Sequence, residues 1–296
     1  MKKNFLSAML CLLLTSVLSA QNTKGENSLL WKVTGKGLSK PSYLFGTYHF
    51  LSNGFVDTIP AIKRAYATSE AVVGELVMDS TIRRPMMEAS VLKGITLQKL
   101  LPDTLYTKTS VWFKEEAGLD LIKLDQLNPL TIMTVALAIT HQKYFPNKPG
   151  EVQLDSYFQE MAKKDGKKIL GLETIEMQIS AMFKQLTLAR QVEILNETLK
   201  EKDGLKSAIA VMNKAYISND LYALQQLMYA ETYKPEEMKP LLDDRNDHWM
   251  KQLPKLMKEQ SLFVAVGALH LVGESGLVNQ LRKKGYTVKP IKIKNK

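Results

Sequence analysis

The sequence predicts an α/β fold, a central mixed sheet covered by helical insertions. Short apolar segments typical of buried strands lie near both ends of the chain, and long tracts with helical spacing alternate with them. The length of 296 residues and the 45% apolar composition provide enough material for one large core. No linker is long or polar enough to mark two domains, so residues 21–296 are interpreted as a single domain.

Six apolar segments bounded by turn residues are predicted as strands. They span residues 29–33, 42–45, 71–76, 168–173, 261–266 and 287–293. Gly46 ends the second segment and Gly267 ends the fifth. The segment at 71–76 is a compact apolar run, which is typical of a strand buried on both faces.

Helical spacing dominates between these strands. It predicts helices at 59–68, 129–144, 155–164 and 276–284, a long tract at 175–201, and two more helices after Gly204. Pro60 stands in the first turn of the first helix, where its missing N–H is tolerated. The 129–144 segment is apolar nearly all round, which predicts a buried helix too short to span a bilayer.

The first twenty residues have the pattern of a signal peptide. Lys2 and Lys3 precede an apolar stretch at 5–18, and cleavage is expected near Ala20. The protein is therefore expected to be exported, periplasmic or extracellular, with a retained N-terminal anchor as the alternative. Cys11, the single cysteine, lies inside this segment, so the mature chain is expected to have no disulfide and no thiolate site.

The formal net charge of +10 is spread over short basic runs. These lie at 163–164, 167–168, 282–284 and 292–296. None is interleaved with aromatic residues as a groove for single-stranded nucleic acid is, so no nucleic-acid partner is expected. Solvated faces explain the runs, and weak contact with anionic envelope surfaces is the alternative.

Two segments near opposite ends of the chain share one pattern. Each is an apolar strand followed by Gly-x-x-His, which ends at His49 in the first and at His270 in the second. A histidine at this place stands at the carboxyl end of a sheet strand, where open α/β sheets have their sites. The alternative is that both are hydrogen-bonded structural histidines.

Two glutamates occupy comparable places. Glu75 follows Val-Val-Gly at 72–74 inside the third predicted strand, and Glu173 follows the apolar run at 169–172 at the end of the fourth. A carboxylate there is costly to bury unless it is paired or bound to metal. Two imidazoles with a carboxylate and open positions bind divalent transition metals, so the set predicts one such ion (Mn, Co, Zn or Fe).

Arg245 begins another polar cluster, with Trp249 four residues further on the same helix face. Arg245 is predicted either to stabilise developing negative charge or to pair with a carboxylate such as Glu173. His248 is interpreted as a surface residue or as a neighbour of the site, and His141 as a helix-end residue.

These motifs together resemble the TraB/GumN family, which is related to the Tiki metalloproteases and the PrgY pheromone-inactivating proteins. The resemblance runs from about residue 29 to residue 291. Its motifs are Trp-Lys-Val at 31–33, the two segments ending in Gly-x-x-His, Val-Gly-Glu at 73–75, Gly-Leu-Glu-Thr at 171–174 and Arg-Asn-x-x-Trp at 245–249. It implies a metal-dependent hydrolase, with peptides or proteins as substrates, and a fold related to the erythromycin esterase-like and ChaN proteins.

Carried onto this chain, the resemblance implies that His49, His270 and Glu75 are core site residues, with Glu173 and Arg245 at further motif positions. We expect both histidines to bind the metal with one glutamate as third ligand. The other glutamate is then the general base, and Arg245 supports the oxyanion.

Tyr48 stands at the variable place of the first motif, as a bulky neighbour or a further ligand. The alternative function is a ChaN-like envelope protein that binds haem or iron without a covalent link, through Tyr48 or a histidine. A non-catalytic envelope protein of the same fold is the third interpretation.

Overall fold

The computed structural model describes residues 27–201, 203–229 and 233–293. The predicted signal peptide with Cys11 lies outside the described residues, as do residues 294–296 of the basic tail. No helix within the described ranges is both long enough and apolar enough to cross a bilayer.

One mixed sheet organises the described part of the chain. Its strands are β1 (Leu30–Thr34), β2 (Ser42–Thr47), β3 (Ala71–Gly74), β4 (Lys168–Gly171), β5 (Leu262–Gly267) and β6 (Thr287–Ile291). Their order across the sheet is β4-β3-β5-β2-β1-β6. β1 runs antiparallel to both β2 and β6, whereas the other pairs are parallel. The predicted α/β class and mixed sheet are confirmed, and the carboxyl ends of β2 to β5 meet at one edge.

Burial explains why these segments form strands in this order. All of β3 is buried, and β5 is buried up to Gly267, as expected of central parallel strands that helices cover on both faces. At the sheet's edge, β6 alternates between exposed Thr287, buried Val288 and exposed Lys289. The apolar runs read from the sequence therefore mark the centre of the sheet.

Helices fill the connections. They are α1 (Asn53–Val56), α2 (Pro60–Thr68), α3 (Arg83–Ser90), α4 (Leu97–Leu100), α5 (Asp103–Ala117), α6 (Pro129–Tyr144), α7 (Leu154–Lys164), α8 (Ile175–Ile179), α9 (Leu188–Thr198), α10 (Gly204–Ile217), α11 (Leu221–Tyr229), α12 (Pro235–Met238), α13 (Asp244–Glu259) and α14 (Leu277–Lys283). Short 3₁₀ helices lie at Leu121–Leu124 and Ala268–Leu271, and single π-helical turns lie at Ser180–Lys184 and Lys239–Asp243.

Two hydrophobic clusters hold these elements. The larger surrounds the sheet and includes Phe45, Phe158 and Phe263, whose rings contact one another. The second is built from helices, with Phe113 of α5 and Ile132 of α6 at 0% exposure. This second cluster belongs to the helical insertions that the sequence predicts.

Two helical predictions need correction. The tract at 175–201 is divided, because a π-helical turn follows α8 and a new helix begins after Thr187, whose hydroxyl accepts the N–H of Arg190. The helix at 129–144 exists, but a stripe through Thr134 and Ala138 reaches solvent. The helix is apolar on most faces because other elements pack against several of its sides, but it is not completely buried, contrary to the prediction.

Two predicted strands end early, and this positions the site. The third ends at Gly74 and the fourth at Gly171, two residues before the predicted ends. Glu75 and Glu173 therefore lie in the loops that leave the sheet edge, where a side chain has room to turn toward its neighbours.

Candidate active site

The loops after β3 and β4 run side by side. Leu172 N–H donates to Gly74 O at 3.1 Å, and Glu173 N–H donates to Glu75 O at 3.0 Å. These bonds continue the parallel pairing beyond the last strand residues. Because β5 lies on the other side of β3, the same loops also face the turn that carries His270.

Arg245 joins the predicted residues. Its Nη2 donates to Glu75 Oε2 at 2.5 Å and to Glu173 Oε1 at 2.6 Å, while its Nε donates to Glu173 Oε2 at 3.0 Å. Its Nη1 lies 3.0 Å from His270 Nε2 and donates to Leu241 O at 3.1 Å. One guanidinium thus bonds both glutamates and one histidine, using the fixed fork of donors that only arginine has.

The Trp249 side chain contacts Arg245, His270 and Glu173. Its ring lies 5.0 Å from the Arg245 guanidinium carbon and 4.3 Å from the His270 ring, measured to ring centres. Its indole N–H donates to Glu173 Oε2 at 3.2 Å. The predicted shared face of Arg245 and Trp249 on α13 is confirmed. Glu173 has no exposed side-chain surface, and both its oxygens accept hydrogen bonds.

Glu75 is the more accessible of the two carboxylates, with 14% of its side chain exposed. It also accepts the Gly267 N–H at 2.8 Å and Gln178 Nε2 at 3.2 Å. Burial raises the pKa of Glu75, but its position beside His270, the charges of Arg245 and His49 and the hydrogen bond from the Gly267 N–H outweigh burial and hold the pKa below its ordinary value. Glu75 is therefore an ionised carboxylate at neutral pH.

Gly267 allows the Glu75 carboxylate to lie close to the backbone at the end of β5. A side chain there would place its Cβ 3.2 Å from Glu75 Oε1, which is tighter than ordinary packing. The glycine of the first motif has a different task. A Cβ on Gly46 would lie 2.8 Å from the Cα of Ala268, because the turn after β5 crosses β2 at this point. Both glycines thus permit close approach, one of a carboxylate and one of backbone.

His270 is buried in the 3₁₀ helix after β5, with 3% exposure. Asn246 Nδ2 donates to two carbonyls, His270 O at 3.2 Å and Ser275 O at 3.0 Å, so its Oδ1 faces the ring. His270 Nδ1 lies 2.8 Å from that oxygen and therefore carries the proton, which leaves Nε2 as the acceptor toward Arg245. Burial lowers the pKa of His270 to about 3, so the ring is neutral.

His49 has a different environment although its motif is similar. It lies in the turn after β2 with 72% of its side chain exposed, and its Nδ1 is 2.7 Å from Asp155 Oδ2. Thr47 Oγ1 donates to the other oxygen of Asp155 at 2.6 Å. The charge and hydrogen bond of Asp155 raise the pKa of His49 to about 9.

The sequence analysis missed Asp155 as a site residue. Asp155 stands in the first turn of α7, where an acidic residue is ordinarily explained by the helix dipole. Gln178 and Asn246 were likewise assigned no role. Asn246 follows Arg245 directly, which was the one available signal for its position.

The remaining candidates lie around this group. The Tyr48 ring packs against Phe50 and Tyr216, and its buried hydroxyl has no hydrogen-bond partner among the described residues. His248 is half-buried on α13, and in the described ranges no hydrogen bond or ion pair joins it to the five predicted site residues. His141 ends α6 as predicted, with its ring stacked 5.1 Å from Phe50.

His49, His270 and Glu75 are residue types that bind divalent metals, but Arg245 blocks the metal-binding nitrogen of His270. His270 Nε2 and Glu75 Oε1 are 3.9 Å apart, a spacing that two ligands of one ion can have. Each histidine has a hydrogen-bonded partner on its Nδ1, as metal-binding histidines usually do. Among the described residues, however, no three His, Cys, Asp or Glu side chains are grouped to hold an ion. The Nη1 of Arg245 occupies the lone pair of His270.

A separate cavity lies away from this cluster. It has a volume of about 640 Å³ and is lined mainly by lysines of α13 and its neighbours, such as Lys251, Lys255 and Lys284. None of the five predicted site residues lines it. Volume alone therefore does not locate the site, and we rely on the hydrogen-bonded cluster at the sheet edge.

Known proteins support the family resemblance. The model of the TraB/PrgY/gumN family matches residues 29–290. The curated relatives include Metalloprotease TIKI2 of Danio rerio (24% identical, covering 90% of this chain and 61% of the relative) and Metalloprotease TIKI1 of the same species (24%, 88% and 63%). The Metalloprotease TIKI homolog of Amphimedon queenslandica is 24% identical, with 92% and 63% covered. The chain thus spans about three fifths of their length. No solved structure matches it significantly.

Proposed function

Because the chain belongs to the TraB/PrgY/gumN family, we propose that it is a metal-dependent hydrolase that cleaves peptide bonds in peptides or proteins. The observation that carries this proposal is the convergence of Glu75, His270 and Arg245 at the carboxyl edge of the parallel strands, with His49 and Asp155 beside them. A neutral imidazole and an ionised carboxylate can bind a metal ion or accept a proton, and a cation can stabilise an oxyanion, so together they suit metal-dependent hydrolysis of an amide.

His49, His270 and Glu75 are the residues that would hold the divalent ion. When bound, such an ion lowers the pKa of water toward neutrality and polarises a carbonyl. His270 is suited to this role because it is neutral and its proton is fixed on Nδ1. Asp155 orients His49 in the same way, through its Nδ1. Binding of an ion to His270 requires Arg245 Nη1 to leave Nε2.

The two glutamates have different roles in the proposed mechanism. Glu173 is fully buried and has both oxygens bonded to Arg245 and Trp249, so it positions the guanidinium. Glu75 has exposed surface and is the carboxylate that a substrate or a water molecule reaches. Arg245 can then offer an oxyanion the Nη1 N–H that leaves His270, because its other four N–H groups stay bonded to Glu75, Glu173 and Leu241 O. This assignment favours Glu75 over Glu173 for the ligand or the general-base role.

The test of the metal site is elemental analysis of the purified protein and its variants. His49→Ala and His270→Gln are each expected to lose bound divalent metal, whereas His248→Ala is expected to retain it. Far-ultraviolet circular dichroism verifies that each variant is folded. Undiminished metal in both His49→Ala and His270→Gln removes these histidines from the site.

The test of the reaction is digestion of a peptide library with and without a chelator. Glu75→Gln is the deciding variant because it keeps the shape of the side chain and removes its charge. Loss of metal assigns Glu75 as a ligand, and retained metal with turnover reduced by about 10²–10⁴-fold assigns it as the base. Wild-type metal content and turnover in Glu75→Gln contradicts both roles.

Export completes the proposal. The signal-peptide pattern of residues 1–20 supports an envelope or extracellular protein whose mature N-terminus is near Gln21. Mass spectrometry of the protein from envelope fractions tests this, and an intact Met1 there supports a retained anchor instead.

A further inference from the structure

A small cavity is lined in part by Leu241, the residue whose carbonyl oxygen accepts Arg245 Nη1. Its volume is about 100 Å³, and its walls are mainly apolar, with Met133 of α6, Ala181, Met182 and Phe183 after α8, and Leu241 before α13. The acidic residue in its wall, Glu237, is paired with Arg190 at 2.6 Å. Because the cavity is mainly apolar and one of its lining residues, Leu241, bonds Arg245, it has the character of a pocket for an apolar group of a ligand.

Leu241 connects this cavity to the site. Its side chain lines the cavity, while its carbonyl oxygen accepts Arg245 Nη1 at 3.1 Å. The opposite wall is connected too, because Gln178, which donates to Glu75, lies two residues before the turn that contains Ala181 and Met182. The cavity is therefore lined by segments that directly adjoin the two helices contacting Glu75, which are α8 through Gln178 and α13 through Arg245.

Both connecting segments are π-helical. The turn Ser180–Lys184 follows α8 and the turn Lys239–Asp243 precedes α13, and the two turns contact each other. Single π-helical turns are rare in proteins and occur frequently at functional sites, because each inserts an extra residue that redirects side chains. Here both turns line one cavity, the first through Ala181, Met182 and Phe183 and the second through Leu241.

We propose that this cavity is a specificity pocket that binds one aliphatic side chain of the peptide substrate. The inference rests on the proposed function. Its size favours a branched aliphatic group such as leucine or valine, because cavities that hold a benzene ring are larger, roughly 150 Å³. None of the described residues that line the cavity is a lysine or an arginine, so its wall offers no cation to an acidic side chain. The bond from Arg245 Nη1 to Leu241 O links this pocket to the proposed reaction site.

The experiment compares peptides that differ at one position, with Leu, Val, Ala, Phe or Glu there. The wild-type protein is expected to cleave the best aliphatic peptide ~10- to 100-fold faster in kcat/KM than the Ala peptide. Ala181→Leu fills the pocket and should abolish this preference. Ala138→Leu makes the same substitution at an exposed position of α6 and should leave the preference intact. Met182→Ala enlarges the pocket and should shift the preference toward Phe, which keeps the test open if Ala181→Leu does not fold.

A second measurement does not depend on cleavage. The methyl NMR signals of Met133 and Met182 are followed during titration with N-acetyl-leucinamide and with N-acetyl-glycinamide. Shifts with the leucine compound alone support the pocket, even if no peptide is cleaved and the proposed function fails. Cleavage without aliphatic preference and without methyl shifts overturns the pocket while the proposed function stands. The absence of both cleavage and shifts overturns the pocket as well.

Discussion

Arg245 holds Glu173 by two parallel hydrogen bonds, Nη2 to Oε1 at 2.6 Å and Nε to Oε2 at 3.0 Å. The pair is buried, with 11% of the arginine side chain and none of the glutamate side chain exposed. Such a two-point contact fixes the plane of the guanidinium, so its remaining donors are aimed at Glu75 and His270. The orientation of the Arg245 guanidinium therefore depends on a carboxylate with no exposed surface.

Glu173→Gln is expected to destabilise the protein. It leaves a buried cation with one carboxylate fewer, and breaking a buried ion pair from one side typically costs about 3 kcal/mol or more. Urea unfolding measures the change. Glu197→Gln is the matched control, because that carboxylate is 52% exposed and its pairing with Lys200 at 3.7 Å is weak. Equal stability of Glu173→Gln and wild type contradicts the positioning role.

Arg245→Gln is expected to separate metal binding from turnover. The substitution removes a positive charge 3.0 Å from His270 Nε2, so affinity for a divalent cation should rise by about tenfold or more. Turnover should fall by ~10²–10³-fold because the oxyanion loses its donor. Isothermal titration with Mn²⁺ or Co²⁺ and peptide cleavage measure the two effects.

The double variant Arg245→Gln with Glu173→Gln removes both members of the buried ion pair. It replaces Arg245→Gln in these measurements if Arg245→Gln alone is unstable. Unchanged metal affinity in a folded Arg245 variant contradicts the competition between guanidinium and metal.

Asp155→Asn is expected to lower the pKa of His49 from about 9 toward its ordinary 6.5. Because the folded-state pKa is the raised one, the interaction stabilises the fold below about pH 6.5 and is lost as the pH rises toward 9. His49 is exposed, so the stability change is small and NMR titration of its ring is the better measurement. Asp103→Asn, another carboxylate in a first helical turn, is the control and should leave the titration unchanged.

Glu237→Gln is expected to reduce stability at neutral pH and to lose this effect in acid. Hydrogen bonds from Arg190 are the main cause that lowers the pKa of Glu237 below 4.5, so the stabilisation is complete above about pH 4.5 and disappears as the pH falls through the folded pKa. A charged hydrogen bond of this kind contributes about 1.5–3 kcal/mol.

Urea unfolding at pH 6 and pH 3 tests the Glu237 prediction. The difference between wild type and Glu237→Gln should shrink at the lower pH, whereas the exposed neighbour substitution Glu236→Gln should have little effect at either. A difference that stays constant with pH contradicts the assignment.

The fold was largely predictable because its signals are local. The apolar runs that became β3 and β5, and the pattern of β6, follow directly from burial on two faces or on one. Helix boundaries were less predictable. The division of the 175–201 tract depends on a capping hydroxyl and a π-helical turn, and the π-helical turn leaves the hydrophobic period almost unchanged.

The sequence by itself singled out two histidines and two glutamates and predicted that they meet at the carboxyl edge of the sheet. Strands that end in Gly-x-x-His or in a glutamate place these groups at the carboxyl ends, whatever surrounds them. Only the tertiary structure decided how they differ. His49 faces solvent beside Asp155 of a helix about a hundred residues away, whereas His270 is buried between Asn246 and Arg245. Such differences in charge and accessibility arise because packing brings together elements that are distant in sequence. The periodicity of a sequence predicts whether a residue faces the core or solvent, but it does not predict which distant residue lies beside it.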